Sequence, residues 1–170
     1  MAMNRGLRGS SFEETINLTN ELYKKKKLAL IEKIPTPITP VSFEKNTKII
    51  TKAYFEKKST VDYIGVCQGV PICFEAKEVR SKIFSLNNIH EHQINFMQSF
   101  VEQQGFAFLL INFKILDECY VLPFKLLNEF WKKSKEGGRK SIPYEDFQKN
   151  LLVKKIGIYF HYLEIISKEI

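Results

Sequence analysis

The spacing of apolar positions along the 170-residue chain switches repeatedly between helical and strand periods. Phe12, Ile16, Leu22 and Tyr23 share one helical face. Ser10 and Ser11 stand before it, each with a glutamate three residues on (Glu13, Glu14), the spacing at which serine and glutamate cap a helix reciprocally. Lys24 to Lys27 close that helix, where cations complement its dipole. Leu28 to Ile34 reads as a strand. From Pro35 to Lys58 the pattern weakens: Pro35, Pro37 and Pro40 interrupt regular structure, and a strand is expected only around Ile49 to Phe55.

Beyond that stretch, the runs Thr60 to Cys67 and Val70 to Lys77 flank Gln68-Gly69 as two strands of a hairpin. Asn87 or Asn88 is expected to cap a second helix running to about Gln104, with Gly105 as its stop. Phe106 to Asn112 has the composition of a buried strand, and Cys119 to Leu122 forms another. Phe124 to Lys135 is an amphipathic helix ended by Gly137-Gly138; Pro143 opens a short helix and Tyr159 to Lys168 a last one. Helices alternating with strands, without internal repeats, predict one α/β domain over residues 1–170.

Composition narrows the class. The chain is 44% hydrophobic with 14 Phe, enough for a sizeable core. Its longest apolar run, Phe106 to Ile111, falls far short of the roughly 18 residues of a membrane span. Met1 to Gly6 leads straight into polar sequence, so no secretory signal is expected. Cys67, Cys73 and Cys119 show no CxxC spacing, and with only His90, His92 and His161 as partners they predict no structural zinc. The expectation is a reduced, cytoplasmic protein. Against 19 Asp+Glu stand 26 Lys+Arg, a net charge of +7 that favours polyanions, nucleic acid foremost.

The hairpin carries the candidate chemistry. A two-residue turn at Gln68-Gly69 sets Asp62 directly opposite Glu75 and Thr60 opposite Lys77, all four on one sheet face. Opposed like charges destabilise a strand pair, so the two acids need a compensating cation. Lys77 supplies one charge, but Mg²⁺ suits paired hard oxygen ligands better. Lys77 would then orient or deprotonate the attacking water, or stabilise charge at phosphorus. An ordinary charged hairpin face with a Glu75, Lys77, Glu78 cluster fits the same residues. A three-residue loop would separate the acids onto opposite faces.

Other polar positions extend the picture. Ile89, Met97 and Phe100 form the buried stripe of the second helix, and Gln93 falls on it, either contacting a metal or bonding a neighbouring backbone group. His90 and His92, two apart, point to different faces and make no HExxH-type pair. Lys45, Lys48, Lys52, Lys57 and Lys58 make the 35–58 stretch either a projecting arm for phosphates or a solvated loop. Trp131 to Lys140, with Lys132, Lys133, Arg139 and Lys140 about a Gly-Gly break, suits backbone contacts to nucleic acid or a solvated helix end. Arg5 and Arg8 lie in a flexible basic arm over residues 1–9.

Taken in order, these motifs resemble the RecU family of Holliday-junction resolvases, within the PD-(D/E)xK nuclease superfamily. Ser59-Thr60-Val61-Asp62-Tyr63-Ile64-Gly65-Val66 and Phe74-Glu75-Ala76-Lys77-Glu78 resemble its active-site hairpin. Asn4-Arg5-Gly6 with Phe12-Glu13, Pro35-Thr36-Pro37, Ala53-Tyr54-Phe55, His90-Glu91-His92-Gln93, Phe130-Trp131 and Gly138-Arg139-Lys140-Ser141-Ile142 match further motifs. The resemblance implies an α/β fold with a central mixed β-sheet flanked by helices, a restriction-endonuclease-like core, and a projecting stalk over about 35–55. It also implies a homodimer that cuts four-way DNA junctions by symmetric nicks with Mg²⁺ or Mn²⁺, leaving 5′-phosphate and 3′-hydroxyl ends. Thr60, Asp62, Glu75 and Gln93 would be metal-associated, Lys77 the transition-state lysine, and Glu13 an acid near the site. Val61 departs from the usually polar family position, on the opposite face by parity, and the chain diverges most after Ile142. Recombinase and branch-migration proteins are the implied partners, and the nucleoid the implied location. The other readings are a non-catalytic junction-binding modulator of recombination on the same fold, and a duplex-cleaving nuclease of restriction type.

Overall fold

A computed structural model describes residues 11–44, 47, 49–55 and 60–169. Ser11 opens the first helix, α1 (Phe12–Lys25). Its side chain accepts from the Glu14 N–H and its own N–H donates to the Glu14 carboxylate, so of the two serines it is Ser11 that forms the reciprocal cap. Phe12, Ile16 and Tyr23 are buried along the stripe expected from their spacing. Strand β1 (Ala29–Lys33) follows, then β2 (Ile38–Glu44) and β3 (Ile49–Phe55), which pair with each other in a separate two-stranded sheet. Strand β2 corrects the irregular reading of that stretch. Pro40 sits at a register shift of this ladder, which is how a proline is tolerated in it.

Strands β4 (Tyr63–Cys67) and β5 (Val70–Val79) form the hairpin, followed by β6 (Ile83–Ser85), α2 (Glu91–Glu102), β7 (Phe106–Phe113), β8 (Glu118–Pro123) and α3 (Phe124–Lys135). The chain ends through β9 (Ser141–Pro143), β10 (Lys155–Ile156), β11 (Tyr159–Phe160) and α4 (Leu163–Glu169). Five strands make the central sheet in the order β1-β4-β5-β7-β8; β5 and β7 run parallel and the other neighbours antiparallel. This is the central mixed sheet of an α/β fold.

Three helix boundaries differ from expectation. Helix α2 starts at Glu91 with His90 as its cap, because Asn87 and Asn88 belong to a preceding 3-10 turn held by the Ser85 side chain. Its stop is Gln104, at φ 65°, whose N–H and that of Gly105 donate to the Val101 and Phe100 carbonyls. Tyr159 and Phe160 are strand, so the last helix begins only at Leu163.

An aromatic column fills one face of the sheet. Tyr63 stacks on Phe74 and Phe74 on Phe108, each with ring centroids 4.7 Å apart, and Tyr162 tilts onto the last two. The Tyr63 hydroxyl donates to Asn17 Oδ1 at 2.9 Å, tying α1 to β4. Cys67, Cys73 and Cys119 are free and buried; burial pushes their thiols up, that of Cys73 to about 12. No helix of the described chain is long and apolar enough to cross a membrane.

Gly65 lets β1 approach β4: a Cβ there would stand 2.3 Å from the Leu30 carbonyl oxygen and 2.7 Å from Ile31 Cα, both backbone. Gly65→Ala is therefore expected to destabilise the domain by about 1–3 kcal/mol, the usual cost of overpacking, read as a lowered denaturant midpoint. An unchanged midpoint would show that the strands separate freely.

Candidate active site

The turn between β4 and β5 sets the geometry. Gln68 and Gly69 have φ of 47° and 90°, the two left-handed residues of a type I′ turn, whose twist suits a two-residue hairpin. Glutamine at such a position is strained, and its side chain offsets this: Nε2 donates to the carbonyls of Lys27 and Leu28 at 3.1 and 3.0 Å. The ladder runs from Cys67–Val70 to Tyr63–Phe74, the register expected for a two-residue turn.

One step beyond the last ladder pair, Asp62 and Glu75 face each other. The Asp62 N–H donates to Glu75 Oε2 at 3.1 Å, and the Ala76 N–H donates to Asp62 Oδ2 at 2.9 Å. Each acid is thus held by backbone of the opposing strand. Glu75 is 3% exposed, and its other oxygen accepts from Lys77 Nζ at 2.6 Å. Burial and the charge of Glu75 push the Asp62 carboxyl up to about 6, against the opposing pull of the Ala76 N–H and Lys77. One lysine leaves the pair of carboxylates incompletely neutralised.

Thr60 is half-buried two residues before Asp62, but the ladder ends at Tyr63, so the expected Thr60–Lys77 strand pairing does not form. Val61 is buried in the hydrophobic core. Gln93 is also buried; its Oε1 accepts from the His90 N–H at 3.0 Å, capping α2, so the backbone partner weighed for it is present. The rings of His90 and His92 stack with centroids 5.4 Å apart, which their spacing did not suggest. Glu13 at the start of α1 pairs with Lys33 at the end of β1, and both act electrostatically on, or feel, Asp62. The hydrogen bond to Glu13 holds the Lys33 ammonium above its usual range. Nothing in the sequence patterns singled out Lys33; its place at the end of β1, whose register sets it against Tyr63, is the signal that identifies it.

Among the described residues, no group of three or more His, Cys, Asp or Glu side chains is placed to hold a metal. The donor set here is two carboxylates, which is sufficient for Mg²⁺ when waters and phosphate oxygens complete its shell. Of the basic residues, Lys52 is exposed on β3, Lys132 and Lys133 are exposed in the last turn of α3, and Arg139 Nε donates to Ser141 Oγ at 3.0 Å beside exposed Lys140. Arg5, Arg8, Lys45, Lys48, Lys57 and Lys58 lie outside the described residues.

Residues 7–168 match the family model of Recombination protein U. A "Holliday junction resolvase RecU" of Oceanobacillus iheyensis is 49% identical over 142 residues, covering 81% of this chain and 72% of that protein. The protein of the same name from Staphylococcus aureus strain JH9 is 46% identical over 149 residues, covering 85% and 72%. A likeness to the Archaeoglobus fulgidus Holliday junction resolvase Hjc (TM-score 0.42, 13% identity, 67% of this chain and 75% of that one) is too slight to carry an argument. With a family model that matches almost its whole length and relatives 46–49% identical over most of it, the chain belongs to the RecU family.

Proposed function

We propose that this chain is a metal-dependent endonuclease that resolves four-way DNA junctions during recombination and repair. The observation that carries the reading is the opposed pair Asp62 and Glu75, with Lys77 bonded to Glu75, in a chain 49% identical to a protein named Holliday junction resolvase. Two acids held against their mutual repulsion, one of them raised towards neutrality, form an electrostatic liability that a divalent cation removes.

In this reading Asp62 and Glu75 hold Mg²⁺, or Mn²⁺, with Thr60 and Gln93 beside them as further oxygen donors. The ion supplies Lewis acidity and a water of lowered pKa when bound. Water oxygen attacks phosphorus, the bond to the 3′ oxygen breaks, and that oxygen takes up a proton, leaving 5′-phosphate and 3′-hydroxyl ends. The Lys77 ammonium, partly exposed beside Glu75, stabilises the negative charge that grows on the phosphoryl oxygens. Glu13, paired with Lys33, tunes the local charge and the position of α1.

Lys52, Lys132, Lys133, Arg139 and Lys140, with Arg5, Arg8, Lys45, Lys48, Lys57 and Lys58, hold the DNA backbone. The two-stranded β2–β3 sheet serves as the stalk of a homodimer, residues 1–9 as a basic arm. Two identical sites match the symmetry of a junction and give its paired nicks. Cytoplasmic action at the nucleoid, alongside recombinase and branch-migration proteins, completes the proposal.

Asp62→Asn and Glu75→Gln are each expected to lower cleavage of four-way junctions by at least about 10²–10³-fold with junction binding nearly intact. Lys77→Ala is expected to reduce rate more than affinity. Wild-type cutting by both acid variants, with metal present, would overturn the site.

A second expectation concerns pH. The Asp62 carboxyl is raised in the folded chain, so its ionisation costs stability, absent below its unfolded value near 4 and fully present above about 6. Asn keeps the acceptor for Ala76 while removing the charge. In chelator, Asp62→Asn is therefore expected to raise Tm by about 2–4 °C at pH 7.5 and not at pH 4, and added Mg²⁺ is expected to shrink the difference. An equal gain at both pH values would show that charge is not the cause.

A further inference from the structure

Away from the acid pair, a cleft of about 220 Å³ opens between the C-terminal turn of α3 and the turn that precedes α2. Leu86, Asn87, Trp131, Ser134, Lys135 and Lys140 line it. Two independent anchors fix its walls. On one side α3 ends with Gly137 at φ 89° and the Gly138 N–H donating to the Lys133 carbonyl at 2.9 Å, which turns the chain back towards β9. On the other, β6 pairs with β9, and the Leu86 N–H donates to the Lys140 carbonyl at 3.1 Å, which seats Lys140 beside Asn87.

Two of the four polar side chains that line the cleft are unspent. The Ser134 hydroxyl is used internally, donating to the Trp131 carbonyl at 2.7 Å. The Asn87 and Lys140 side chains are exposed and have no hydrogen-bond or ion-pair partner among the described residues. Lys135 lies over the Trp131 ring, Nζ 4.9 Å from its centroid, and 3.8 Å from the Glu91 carboxylate of α2. Across residues 132–140 five cations stand against Glu136 alone, and Glu91 faces them from α2.

We infer that this cleft seats a backbone phosphate of the junction DNA, with Lys135 and Lys140 as its cations and the Asn87 amide as a neutral donor. At about 220 Å³ it is smaller than the roughly 300–1,000 Å³ of a typical small-molecule pocket, which suits one group of a larger polymer. Cations on fixed backbone and an amide donor are the usual partners of phosphodiester oxygens. Lys135 reaches Glu91, so the seat lies at the N-terminal end of α2. A strand held there and at the acid pair would have its path across the protein fixed at two points. Glu91 opposes the anion and competes for Lys135, so it sets the strength of the seat. The inference rests on the proposal that DNA is the substrate, but not on where the DNA is cut.

Trp131 is the only tryptophan of the chain, so its fluorescence reports on the cleft directly. The experiment titrates four-way-junction DNA into the Asp62→Asn protein at several salt concentrations and follows Trp131 emission. A saturable emission change is expected. Adding Lys135→Gln and Lys140→Gln together is expected to suppress that change and to flatten the log–log salt dependence of affinity by about 1, the value for one phosphate no longer neutralised. Adding Glu91→Gln instead is expected to tighten binding, a gain that misfolding cannot mimic. Full emission change with unchanged salt slope in the double-lysine variant overturns the seat, as does unaltered affinity with Glu91→Gln. Residual cutting by Asp62→Asn would count against the proposed catalytic pair and leave the emission comparison standing.

Discussion

The turn at Gln68-Gly69 settles where Asp62, Glu75 and Lys77 can be. Side chains alternate faces along a strand, so a hairpin one residue longer would carry Glu75 and Lys77 away from Asp62. The two-residue turn holds because Gly69 accepts a left-handed backbone and because the amide of Gln68 is bonded to the carbonyls that leave α1. The end of the first helix therefore braces the hairpin, and the hairpin fixes the acids. Gly65, one pleat further in, lets β1 close against the same strand.

What this arrangement holds in place is a repulsion. Asp62 and Glu75 are clamped by each other's strands through backbone N–H groups, which favour charge, while burial disfavours it. Lys77 relieves part of the imbalance. The stability for keeping such a site comes from the other face of the sheet, where Tyr63, Phe74, Phe108 and Tyr162 form a continuous aromatic column. Tyr63 and Phe74 are the last ladder pair before the acids, so the column and the site share one structural element.

The hairpin register, the caps of α1 and the strands β5, β7 and β8 were legible because each rests on short-range chemistry: turn residues, capping spacing, unbroken apolar runs. Strand β2 was not, since Pro40 interrupts it and none of its described side chains is buried, and its partner β3 is exposed throughout. The start of α2 was misplaced because Asn87 and Asn88 are good caps by type, yet Ser85 draws them into a 3-10 turn and Gln93 reaches back to His90 instead. Of the site, the facing of Asp62 and Glu75 follows from strand parity together with a two-residue turn. Lys33 and the stacked His90–His92 pair depend on how α1, β1 and α2 meet, which no local pattern encodes.

The three cysteines have a practical meaning. All are buried, and burial pushes all three thiols up, so the reactive thiolate is scarce at neutral pH. A single cysteine introduced on an exposed strand such as β3 would be the one thiol open to maleimide chemistry, without removing any native residue. Spectroscopic rulers between DNA and chosen points on this protein can thus be built on the native background.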